Sequence, residues 1–85
     1  MKKILVYSSN ICPYCIAAKN LLSNLNLTFE EILVDNNKIN KAEMLSKSQG
    51  KKTVPQIFFG QLHIGGYDDL NRIYKSGQLM SLLNE

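Results

Sequence analysis

An α/β fold built on a four-stranded mixed sheet, with helices on both faces, is predicted by three features of the 85-residue sequence. Short apolar runs alternate with segments of helical periodicity in the order β-α-β-α-β-β-α. The first helical segment lies between two strands, and such a unit joins parallel strands through a right-handed crossover. The last two strands are separated only by Gly60-Gln61, a loop of the length that closes an antiparallel hairpin.

Residues 3–8 are rich in Ile, Leu, Val and Tyr and contain no breaker, as suits a buried strand. Pro13 then occupies a first helical position, where its fixed φ is suitable and its missing N–H is not needed. Tyr14, Ala17, Ala18, Leu21, Leu22 and Leu25 follow at helical spacing, which predicts an apolar stripe, with Lys19, Asn20, Ser23 and Asn24 on the wet side. Residues 28–34 read as a second strand of imperfect alternation. After Asp35-Asn36-Asn37, the positions Ile39, Ala42 and Leu45 predict a weaker helix ending before Gly50, with Asn40 or Asn37 as its cap. Residues 56–59 and 62–64 form the hairpin strands. Leu70, Ile73 and Tyr74 mark a last helix that Gly77 can end, and Leu79, Leu82 and Leu83 form a closing turn. This order of elements is the thioredoxin-like arrangement.

Eighty-five residues suffice for one core and not for two, so residues 1–85 are expected to form a single domain. The hydrophobic share of 45% and charged share of 20% suit a globular chain, and no stretch is apolar for the roughly 20 residues a membrane helix needs. The apolar run near the N-terminus is shorter than the roughly 7 to 15 residues of a secretory signal, which predicts a cytoplasmic protein. In that compartment a close cysteine pair is catalytic or metal-binding rather than a structural staple. The net charge of +3 owes part of its excess to Lys47, Lys51 and Lys52 around Gly50. That cluster is too short, and too poor in aromatics, for a nucleic-acid surface, and it reads as a solvated basic loop or an anion site.

The chemistry centres on Cys12-Pro13-Tyr14-Cys15, where the first strand hands over to the first helix. A helix N-terminus carries unpaired N–H groups and about half a positive charge, so it favours the thiolate, the form that attacks disulfides. Cys12 is therefore the expected nucleophile. Cys15, one turn on and inside the helix, is the expected resolving thiol, attacking Cys12 sulfur to release a reduced product. The same spacing could begin a zinc site, but no third cysteine is present and His63 is the only histidine, so no metal site is expected. His63 alternates away from Leu62 and Ile64 and is read as structural. Pro55 suits the start of a strand, with a cis bond to Val54 as the functional alternative. Gly65-Gly66-Tyr67-Asp68-Asp69 offers either a carboxylate-binding helix start or a plain turn with an acidic cap.

Taken together, CPYC at 12–15, TVPQIF at 53–58 and IGGYDDL at 64–70 resemble, in order and spacing, a short bacterial dithiol glutaredoxin, over essentially the whole chain. The resemblance implies a thiol-disulfide oxidoreductase that uses glutathione as co-substrate, holds no tightly bound cofactor, and reduces protein disulfides and protein-glutathione mixed disulfides. It implies a groove beside Cys12 lined by Tyr14, with Thr53 and Val54 pairing with the cysteinyl backbone of glutathione and Pro55 cis. Gly66, Tyr67 and Asp68 would receive the γ-glutamyl end, and Lys52 would meet the glycyl carboxylate. Expected partners are glutathione and disulfide-bonded or glutathionylated proteins, ribonucleotide reductase among the possible ones, with no nucleic acid and no membrane, and the protein acting as a monomer. Two other readings stand beside it: a thioredoxin-like donor recharged by a flavoprotein reductase, and a carrier of an iron-sulfur cluster shared between two copies. One position departs from the family pattern. Many members carry lysine three residues before the first cysteine, where this chain has Ser9.

Overall fold

The computed structural model describes Met1 to Glu85 and follows the predicted order with one addition. The elements are β1 (Ile4–Ser8), α1 (Pro13–Asn24), β2 (Glu30–Leu33), α2 (Lys38–Lys47), β3 (Gln56–Phe59), β4 (Leu62–Gly65), α3 (Tyr67–Lys75) and α4 (Leu79–Asn84). The addition is α4, formed where a closing turn was expected. The sheet order is β2-β1-β3-β4. β1 runs parallel to β2 and antiparallel to β3, and β3 and β4 are antiparallel.

Strand alternation sends side chains to two separate cores. Ile4, Val6, Ile57 and Phe59 meet Ala18 and Leu22 of α1, Leu70 of α3, and Leu79 and Leu83 of α4. On the other face Tyr7 and Phe58 meet Met44 of α2, with Leu5, Ile32, Val34 and Val54 packed around them. The tops of β1 and β3 thereby carry the segments 9–12 and 53–55 to the same end of the sheet, which positions the site.

Three expectations need correction. The buried line of α1 is Cys15, Ala18 and Leu22, with Leu21 and Leu25 only partly covered, and Tyr14 is 64% exposed. The apolar stripe is wider than the face the sheet accepts, and its first residue is left to the surface. The second strand is shorter than residues 28–34: the ladder with β1 spans Glu30–Leu33, with Val34 N–H donating to the Ser8 carbonyl at 2.9 Å just past it, and this edge strand buries little. In α2 the anchor is Met44, whereas Ile39 is 79% exposed and Ala42 is exposed. A long unbranched methionine reaches the Tyr7–Phe58 surface, and beside it the Tyr7 hydroxyl donates to Glu43 of the same helix. The cap of α2 is Asn37, whose side chain accepts from Asn40 N–H at 2.9 Å.

Candidate active site

Cys12 is the N-cap of α1, and its sulfur takes the role that a serine or aspartate oxygen usually fills: Sγ accepts from the Cys15 backbone N–H at 3.2 Å. Pro13 occupies the first helical turn behind it. The contact aims a backbone donor of the first helical turn at this sulfur. In the thiol form Cys12 also donates to the Val54 carbonyl at 3.6 Å. Both cysteines are free thiols. Cys15 is fully buried and Cys12 is 8% exposed. Burial holds the Cys15 thiol well above its ordinary range, the hydrogen bond with Cys12 adds to this, and the Ser9 backbone opposes it. At neutral pH Cys15 is thus a protonated reserve thiol.

Beside Cys12 lies a cleft of about 410 Å³, within the size range of small-molecule sites. Tyr14 stands at one wall, with its ring centroid 6.1 Å from that of Tyr67. Thr53, Val54 and Pro55 line it, as do Gly66, Tyr67 and Asp68. The Val54–Pro55 bond is cis. Cys12 does not line the cleft itself and reaches it through the Val54 carbonyl.

The part of the cleft at the start of α3 is shaped by Gly65 and Asp69. Asp69 accepts from Gly66 N–H at 3.0 Å, which closes the start of α3. Gly65 has φ +117°, and a Cβ there would lie 2.2 Å from Asp69 Oδ2. Only glycine allows that return. The N–H groups of Tyr67 and Asp68, in the first turn, have no intrahelical carbonyl partner.

Lys52 lies outside this cleft. It lines a second hollow with Ser9, Asp35, Lys38 and Lys41, and Val54 is common to both. Ser9 donates to Asp35 at 2.8 Å and Asn10 N–H donates to it at 2.7 Å, which together hold the Asp35 carboxyl below its ordinary range, the Asn10 contact foremost. The lysine on the first cleft is Lys51. Sequence reasoning also missed Gln56 and His63 as lining residues. The alternation that turned His63 away from Leu62 and Ile64 was the available signal, since it puts His63 on the face of Phe58.

The family model described as Glutaredoxin matches residues 4–64. Glutaredoxin 1 of Rickettsia prowazekii (strain Madrid E) is 48% identical over 81 residues, covering 94% of this chain and 85% of that one. Glutaredoxin 3 of Escherichia coli (strain K12) is 43% identical over 83 residues, covering 98% and 99%. Among solved structures, a buckwheat glutaredoxin-glutathione complex superposes with TM-score 0.85 at 30% identity, covering 98% of this chain and 77% of that one. The solution structure of glutaredoxin from Brucella melitensis gives 0.83 at 42% identity, covering 98% and 89%. Sequence and backbone agree along nearly the full length of the chain, and it belongs to the glutaredoxin family of thiol-disulfide oxidoreductases.

Proposed function

We propose that the chain is a glutathione-dependent reductase of protein disulfides and of protein-glutathione mixed disulfides, working in the cytoplasm as a monomer of one domain. The observation that carries this is the position of the Cys12 sulfur, which caps α1 while touching the Val54 carbonyl, the residue shared by the cleft and the basic hollow. An extended tripeptide with a carboxylate at each end suits that layout. Its cysteinyl portion would pair with Thr53 and Val54, its γ-glutamyl end would meet Gly66, Tyr67 and Asp68, and its glycyl carboxylate would face Lys52, with Tyr14 and Pro55 as walls.

On a glutathionylated protein, Cys12 thiolate attacks the glutathione sulfur, the protein leaves as thiolate, and a second glutathione clears Cys12 as glutathione disulfide. On a protein disulfide, Cys12 forms a mixed disulfide with the protein. Cys15 then loses its proton and attacks Cys12 sulfur, which frees the protein dithiol and leaves an internal disulfide for two glutathiones to reduce. A coupled assay with glutathione, glutathione reductase and a small mixed disulfide tests the proposal. Steady turnover is expected. No turnover there, together with recharging by a flavoprotein reductase, would put the thioredoxin-like donor in its place.

A further inference from the structure

Along the cleft, three polar side chains that line it are linked in one direction. Gln56 is 3% exposed, and its Nε2 lies 3.0 Å from the Thr53 carbonyl and 3.2 Å from Thr53 Oγ1. A carbonyl oxygen only accepts, so the part of the amide facing it is the NH2 group, and Oε1 points the other way. That oxygen lies 2.7 Å from His63 Nε2. It too only accepts, which requires His63 to carry its proton on Nε2. The imidazole is stacked on Phe58, with centroids 4.7 Å apart and planes at 24°, across a directly paired position of β3 and β4. The ring is held in orientation by packing, and its donor is aimed by that orientation.

We propose that His63 is a positioning residue: through Gln56 it fixes the carbonyl and hydroxyl of Thr53, and so holds the Thr53–Val54 segment in the conformation that pairs with glutathione. The proposal rests on the reading of this cleft as the glutathione site. It follows from a connectivity in which each group has one permitted role. Without the His63 donor, Gln56 Oε1 loses its partner in a buried position, and the amide is free to turn away from Thr53. The charged groups facing the ring are Asp69 of α3 and Lys51 of the loop before β3. Burial foremost, with Lys51 adding to it, keeps His63 neutral at physiological pH against the opposing pull of Asp69. The donor on Nε2 is present in the neutral and the charged ring alike, so the relay outlasts protonation.

Two variants separate packing from donation. His63→Phe retains an aromatic ring against Phe58 and removes the donor, whereas His63→Gln gives up the ring and supplies an amide donor. On a glutathionylated peptide, His63→Phe should raise KM by roughly fivefold to tenfold with kcat within about twofold, as loss of one buried hydrogen bond implies. His63→Gln should recover most of that KM. A wild-type KM in His63→Phe, or equal defects in the two variants, would overturn the proposal. Absence of glutathione-dependent turnover in the wild-type chain would instead remove the glutathione reading, and the positioning role with it. Independently of any substrate, imidazole ¹⁵N shifts of the wild-type protein at neutral pH should report the Nε2–H tautomer. The Nδ1–H tautomer would refute the relay directly.

Discussion

One carboxylate oxygen, Glu31 Oε2, accepts from the Lys19 ammonium at 2.6 Å and from the buried Ser8 hydroxyl at 2.5 Å, tying α1 to both β1 and β2 beneath Cys15. These two contacts, Lys19 first, hold the Glu31 carboxyl below its ordinary value of 4.5. A carboxyl depressed in the folded state adds stability above its unfolded pKa, and that contribution is lost as pH falls through the folded one. Glu31→Gln should therefore cost about 1 kcal/mol at pH 7, a figure limited by the partial exposure of the pair. In acid strong enough to protonate Glu31 in the folded state as well, the variant and the parent should unfold at the same denaturant concentration. Urea titrations at the two pH values measure this, and a gap that persists in acid would contradict it.

The two cysteines should separate by substrate. A glutathionylated peptide needs only the Cys12 sulfur, whereas fast release from a protein mixed disulfide needs a thiol at high effective concentration. Cys15→Ser should keep most deglutathionylation and lose protein-disulfide reduction, and Cys12→Ser should lose both. Iodoacetamide should label Cys12 well before the buried, protonated Cys15. Equal inactivity of the two variants on a glutathionylated peptide would rule out the single-thiol route.

Gly65→Ala should damage binding and fold together. The new methyl would collide with the Asp69 carboxylate and sit on a backbone of φ +117°. The strain alone is worth about 1–2 kcal/mol. Displacing Asp69 also frees Gly66 N–H at the start of α3. A lower Tm with a raised KM for glutathionylated substrate is expected, and a variant matching the parent in both would show that Asp69 does not shape that part of the cleft.

Met44→Ala tests how α2 is held, because Met44 is the one residue of that helix that is fully covered. A loss of about 2–5 kcal/mol is expected for a buried methionine. Hydrogen exchange should quicken in residues 38–47 before it does in α1. Uniform exchange across both helices would mean that other contacts seat α2.

Much of this was legible in the sequence because each signal had a local cause. Pro13 after Cys12 set the start of α1, and Gly60-Gln61 set the hairpin. The TVP and GGYDD segments did come together across one cleft. Packing registers were less legible. Nothing local distinguishes Ile39 from Met44 as the anchor of α2, since the choice depends on where Tyr7 and Phe58 present their surface. Lys51 and Lys52 are neighbours of identical chemistry, and only the path of the chain sends one to each hollow. The partnership of His63 with Gln56 joins strands across the hairpin and leaves no trace in composition.

In the proposed reaction the group that caps α1 is also the group that reacts, so the helix would register the covalent state of the protein. A sulfur tied up in a mixed disulfide is a poorer acceptor than a thiolate, so the cap on the first turn is weaker until the leaving step restores it. Each catalytic cycle therefore loosens and re-forms one end of the helix. The free-energy gain of re-forming it favours departure of Cys12 as thiolate. A chain trapped as its Cys12-glutathione adduct should accordingly exchange the amide of Cys15 faster than the reduced chain does, and unchanged exchange would dissociate the cap from the chemistry.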